Sequence, residues 1–247
     1  MNTSRKILII TGITLAIGGC YLLWVFHQRQ QPGVVKQTDQ EPALSKDDLA
    51  VVKAYFPQHF DDLDRLAGTS AWIKSGYTMS YFPYAGGRVE FGKKVGLLPP
   101  DQRIEIKKII KAVAPATAHD GIEPGGMQAF VVFALPQGPD LYAVAVGVLK
   151  GGEEGYFTDM IFYYDDPHTI YSDWGNAVWS AIDAHQVKPG MSELETRMAI
   201  GSKVHVDGQT EGDRTVTYDV NGKSIAVTYS GNHATEIKNE PGQSSSN

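Results

Sequence analysis

One cysteine, Cys20, stands among 247 residues. An intrachain disulfide and a cysteine-based zinc cluster are therefore excluded. Charged side chains make up only 20% and hydrophobic ones 42%, too apolar for a disordered chain and too polar for a multispan membrane protein. Basic residues are the scarcer sign, 22 against 28 acidic. Setting aside Arg5 and Lys6 at the start leaves 20, and a surface of that balance argues against nucleic acid as a partner. No His-Glu-x-x-His pair is present, so zinc-hydrolase chemistry of that kind has no support. No Gly-x-Ser-x-Gly elbow offers a serine nucleophile. No glycine-rich loop joins a strand to a helix with phosphate-cradling spacing, which removes a nucleotide site. The expectation is a non-enzymatic chain with no cofactor.

What is present begins with an apolar run from Ile7 to Phe26 that holds no charge. As a helix it covers roughly 30 Å, the thickness of a bilayer core. Arg5 and Lys6 before it favour a cytoplasmic N-terminus and place residues 27–247 outside the cytoplasm. Tyr21, Trp24 and Phe26 suit an interfacial anchor. A second reading takes Ile17-Gly18-Gly19-Cys20 as a bacterial lipobox with Cys20 lipidated, but the residues after it stay apolar. A cleaved signal peptide ranks last, because the run is long and no small-x-small site leads into a polar stretch. In each case Cys20 is no exported nucleophile.

Residues 27–44 are rich in Gln, Pro and charge and read as a linker. Ser45-x-x-Asp48 matches a capping box, followed by Leu49, Val52, Tyr55 and Phe56 at helical spacing up to Pro57. That pattern predicts a helix. Asp61, Asp62 and Asp64 match no calcium-loop spacing and read as a solvated face. Tyr77, Met79 and Tyr81 alternate with polar neighbours as in a strand, and 83–88 reads as a loop. Arg103–Ile109 alternates again. Gln128–Leu135, Leu141–Leu149 and Tyr156–Tyr164 predict an antiparallel meander. The run Gly96-Leu97-Leu98-Pro99-Pro100, followed by the alternating strand, resembles a small bacterial SH3-like barrel across residues 76–113.

The segment most inviting as a site is Asp165-Asp166-Pro167-His168, followed by Tyr171, Trp174, Trp179 and His185. Two carboxylates and two imidazoles can bind a metal or move protons. The plainer reading ranks first. Asp before Pro opens a turn, and Ser172 to His185 forms a helix whose Trp174, Val178 and Ile182 face the core.

In the C-terminal part Ser192 and Glu195 form a capping box, and Gly201 ends the helix between them. Three strands are predicted, around Val216–Val220, Ile225–Tyr229 and His233–Lys238. Asn221-Gly222 marks a hairpin, and the tail from Asn239 reads as disordered. The stretch Val187-Lys188-Pro189-Gly190-Met191-Ser192-Glu193-Leu194-Glu195, its helix, and the strand from Gly231-Asn232-His233 resemble the SmpA/OmlA (BamE-like) envelope family. That family has the β-lactamase-inhibitory-protein-like fold. Ser202 replaces the proline usual after the helix-terminal glycine, and the loop beyond it is short. The resemblance covers 171–238 and implies a module that binds or stabilises other proteins and has no catalytic residues.

The expected organisation is α+β. A cytoplasmic stub (1–6) precedes a transmembrane anchor (7–26), a linker (27–44) and an extracytoplasmic region (45–170). The BamE-like module (171–238) and a tail (239–247) follow. The antiparallel sheet carries a few packing helices. The function expected is an envelope interaction or assembly module with a protein partner. Two alternatives stand beside it. One is a hydrolytic or metal-dependent enzyme built on Asp165, Asp166, His168 and His185. The other is a cell-wall ligand module with an aromatic groove around Tyr77, Tyr81 and Tyr84.

Overall fold

A computed structural model of the chain describes Tyr21 and residues 49–76, 80–118, 122–208, 210–220 and 223–240. The apolar run (Tyr21 apart), the linker, the Ser45–Asp48 box, Tyr77, the Asn221-Gly222 turn and residues 241–247 lie outside the described residues. Among the described residues no helix is long and apolar enough to cross a membrane. The chain divides into two compact units, 1–45 and 46–247, and every element below belongs to the second. The expected boundary at 171 therefore falls inside one unit.

Nine strands make the first sheet. They are β1 (Ser70–Ile73), β2 (Ser80–Ala85), β3 (Arg88–Val89), β4 (Gly96–Leu97), β5 (Arg103–Val113), β6 (Met127–Ala134), β7 (Leu141–Lys150), β8 (Glu153–Tyr156) and β9 (Phe162–Tyr163). Their order is β3-β2-β7-β6-β5-β1-β9, with β4 on β2 and β8 on β7. All the pairings are antiparallel.

The near-continuous apolar runs of β6 and β7 follow from burial on both faces. Ala129, Val131 and Phe133 enter one core with Val144 and Val146. Their neighbours Phe130 and Val132 enter another, on the opposite face, with Ala143 and Ala145. Successive residues of a strand point to opposite faces, so both halves of the run are buried at once. Gly147 is required where β8 crosses β7. A Cβ there would stand 2.5 Å from the Tyr156 ring and 2.8 Å from the Gly155 carbonyl oxygen.

Several expectations are corrected. Residues 50–57 are not helical. Val51 and Val52 are poor helix formers, and the residue before Pro57 favours extended backbone. Tertiary contacts complete the preference. The Tyr55 amide donates to Asp159 at 3.2 Å, the Tyr55 hydroxyl donates to the Asp62 carbonyl, and Ala50 and Val52 pack on a third core. A 3₁₀ helix, Phe60–Leu66, follows and buries Leu63 and Leu66. The loop expected at 83–88 is a hairpin between β2 and β3, turned by Gly86 and Gly87, both at positive φ. Tyr156–Tyr164 is not one strand. Helix α1 (Thr158–Ile161) breaks it, and β9 then leaves β8 to pair with β1.

Helix α2 (Pro167–Ile170) occupies the expected turn. Helix α3 is Asn176–Asp183, shorter than the Ser172–His185 expected. Gly175 caps it in extended backbone, and His185 beyond it takes a φ of 51°. Helix α4 (Glu193–Ile200) has the expected capping box, with the Glu195 amide donating to Ser192 Oγ at 3.1 Å. The second sheet has four strands rather than three: β10 (Lys203–Asp207), β11 (Thr215–Val220), β12 (Lys223–Ser230) and β13 (His233–Glu240), in that order. β10 was missed because it mixes charged and apolar residues and carries a bulge between Lys203 and His205. β13 takes in Asn239 and Glu240, which the tail was expected to hold.

α3, α4 and the second sheet enclose the third core, with Trp174, Trp179, Ile182, Met198, Val216, Tyr218 and Val227 buried. Glu193 stands in the first turn of α4, where a negative charge suits the helix dipole, yet that is not its main role. Its side chain is instead 1% exposed and accepts from Arg214 Nε at 3.0 Å and Nη2 at 2.7 Å. This bidentate pair ties α4 to the residue that leads into β11. Arg214→Ala strands a buried carboxylate without its guanidinium and is expected to cost about 3–5 kcal/mol in urea unfolding. The double variant Glu193→Leu/Arg214→Met is expected to recover most of that loss.

Candidate functional site

The expected residues do not all converge. Asp166 caps α2, with its Oδ1 accepting from the His168 amide at 2.9 Å. Oδ1 also lies 3.1 Å from His168 Nδ1. Asp165 is exposed. His185 Nδ1 lies 3.1 Å from the Ala199 carbonyl oxygen, which joins the end of α3 to α4. The Asp-Pro opening is therefore a cap, as its chemistry predicts, and His168 alone of the four enters a wider group.

That group contains two residues the sequence did not suggest. Ligand-capable atoms of Asp101, His168 and Asp183 all lie within 4.8 Å of one another. They come from the β4–β5 turn, α2 and α3. The turn is Pro99-Pro100-Asp101-Gln102, closed by the Gln102 amide on the Pro99 carbonyl at 3.3 Å. Pro100 in second place and Asp101 with φ of 59° in third match a type II turn. Glycine or asparagine is usual at that third position. Two backbone bonds hold the turn on β1: the Asp101 amide to the Ile73 carbonyl at 2.9 Å, and the Ile73 amide to the Gln102 carbonyl at 3.1 Å.

His168 is held in plane by Trp179, whose ring stacks on it with centroids 3.8 Å apart and planes 20° apart. Trp179 leads inward to Trp174 at 5.1 Å, then Tyr171 at 4.4 Å, then Tyr163 at 6.2 Å. Asp183 is the last residue of α3, where a negative charge opposes the helix dipole. Asp101 Oδ1 is shut off from solvent and accepts no hydrogen bond. Burial pushes the Asp101 carboxyl up to about 6. His168 opposes the rise, Asp166 and Asp183 add to it, and His185 opposes it. Two carboxylates and an imidazole from three elements can share a cation or pass a proton.

Sequence pattern does reveal part of this, since Trp179 and Asp183 are i,i+4 neighbours on one helix. No pattern links either to Asp101, which is brought in only by the pairing of β1 with β5 and β9.

The groove imagined around Tyr77, Tyr81 and Tyr84 divides. Tyr81 packs on the first core and Tyr84 on the opposite face, an outcome of their odd spacing on β2. Tyr77 lies outside the described residues. A cavity of about 170 Å³ is lined by Phe82, Phe91, Lys94, Pro115 and Ile122 among others, and is mostly apolar.

No family model, no curated protein and no solved structure matches the chain. The resemblances to the SmpA/OmlA family and to SH3-like barrels therefore rest on the quoted residues alone.

The Asp101 carboxyl holds its proton to higher pH in the folded chain than its ordinary value of 3.8. Between about pH 4 and pH 6 the folded state binds more protons than the unfolded state, so stability falls as pH rises through that window. Urea midpoints in a chelator are expected to show Asp101→Asn gaining on the parent chain from pH 4 to 6 and holding level above. A gap that is constant with pH contradicts the assignment.

Proposed function

We propose that the chain is a membrane-tethered, extracytoplasmic, non-enzymatic module that binds another envelope protein. The observation that supports this most directly is the second sheet. Its outer strands β10 and β13 have no strand neighbour on their outer sides among the described residues. An open edge is a template for an added strand, with main-chain bonds giving affinity and alternate side chains giving selectivity. The two edges differ. β13 carries Glu236 and Lys238, paired at 3.0 Å, which guard against unselective pairing. β10 is bulged and exposes His205, Val206 and Asp207. β10 is the edge we assign to the partner. The likeness of 171–238 to the SmpA/OmlA family supports the same reading. The anchor is the uncharged run 7–26, with lipidation at Cys20 as its alternative.

A photo-crosslinking residue placed at Val206 in the full membrane-bound chain is expected to capture a reproducible envelope protein. One placed at exposed Glu236 is expected to capture much less. Equal capture at both sites, or none at Val206, contradicts the assignment. Intact mass separates the anchors. An unmodified 27.0 kDa chain fits the transmembrane reading, and a chain beginning at lipidated Cys20 contradicts it.

A further inference from the structure

We propose that Asp101, His168 and Asp183 form a site for one divalent transition-metal ion of the zinc type, with water completing its shell. This inference does not depend on the partner-binding reading.

The donor set comes first. Ligand atoms about 2.0–2.2 Å from one ion stand up to about 4 Å apart. The three donors here already lie within 4.8 Å, and Asp183, exposed at the end of α3, can swing its carboxylate towards the His168 ring that Trp179 holds. The second observation is independent of this spacing. Asp101 Oδ1 is buried without a donor, and a buried carboxylate oxygen is costly unless something positive meets it. A cation at this place would meet it.

The surroundings fit the same occupant. Asp166 lies against His168 Nδ1, and a proton donated there leaves the Nε2 lone pair for the metal. Carboxylates hold metal-bound imidazoles in this way in zinc proteins. Trp179 fixes the ring plane. Asp183 places its charge at a helix end that otherwise disfavours it. One imidazole among the donors selects a borderline ion over calcium or magnesium, which favour oxygen alone. Three protein ligands leave at least one position open to water. The ion would join the β4–β5 turn to α2 and α3, and so brace the first sheet against the third core.

The test uses the full chain in detergent, freed of tags and stripped with chelator, then titrated with Zn²⁺ against a competing indicator. One ion per chain is expected, with a rise in unfolding temperature on loading. Asp101→Asn and Asp183→Asn are each expected to weaken binding about 100-fold or more. Asparagine tolerates the positive φ at 101, so the first variant keeps the turn. Asp166→Asn retains a good helix cap and is expected to weaken binding about 10–100-fold. His233→Gln, outside the group, is expected to leave it unchanged. Ca²⁺ in place of Zn²⁺ is expected to give no comparable stabilisation. Absence of tight Zn²⁺ binding overturns the proposal. So does binding that survives both Asp101→Asn and Asp183→Asn, which would mark an adventitious ion on surface imidazoles.

Discussion

Four residues of β1 hold two hydrophobic cores together. Ala71 and Ile73 point into the first core, and Trp72 between them packs against the third. Strand geometry forces the division, because neighbours on a strand face opposite ways. β1 also pairs with β5 on one side and β9 on the other. β9 then feeds the chain into α2, α3 and the second sheet. Loss of register here would exchange the inward and outward residues and separate the two cores. The unit from Lys46 onward is one body for this reason, although its sequence reads as two.

The same strand builds the Asp101 site. Ile73 exchanges two backbone bonds with the Pro99–Gln102 turn. That anchors Asp101 beside α2 and α3, which β9 brings to the same place. The aromatic series from Tyr163 to Trp179 fills the space beneath and ends on His168. A positive φ, a carboxylate with one buried unpaired oxygen and a stacked imidazole thus meet at one point. A protein that seeks only stability would place glycine at 101 and no acid at 183. The Glu193–Arg214 pair offers a contrast, since the Glu193 carboxylate is more deeply buried than Asp101 yet is answered by two bonds from Arg214 and one from the Gly212 amide.

Much of the framework was legible in the residues. β6 and β7 announced themselves by apolar runs of strand length, and α4 by Ser192, Glu195 and Gly201. Asp166 was legible as a turn former because its chemistry is local. What escaped the sequence depends on distant partners. Residues 50–57 have helical spacing but bond to Asp159, a hundred residues away. β9 hides in an aromatic run because its partner is β1. Glu193 satisfies a helix-start rule and a buried ion pair together, and only the first leaves a local mark. Asp101 and His168 are 67 positions apart and share no motif, so nothing short of the pairing of β1 could unite them.

The most direct test of this account is X-ray absorption on the zinc-loaded full chain. A mixed shell of oxygen and nitrogen at about 2.0–2.1 Å, with scattering from a single imidazole, is the predicted result. A shell of several imidazoles, or of oxygen alone, would contradict the meeting of Asp101, His168 and Asp183 at one ion.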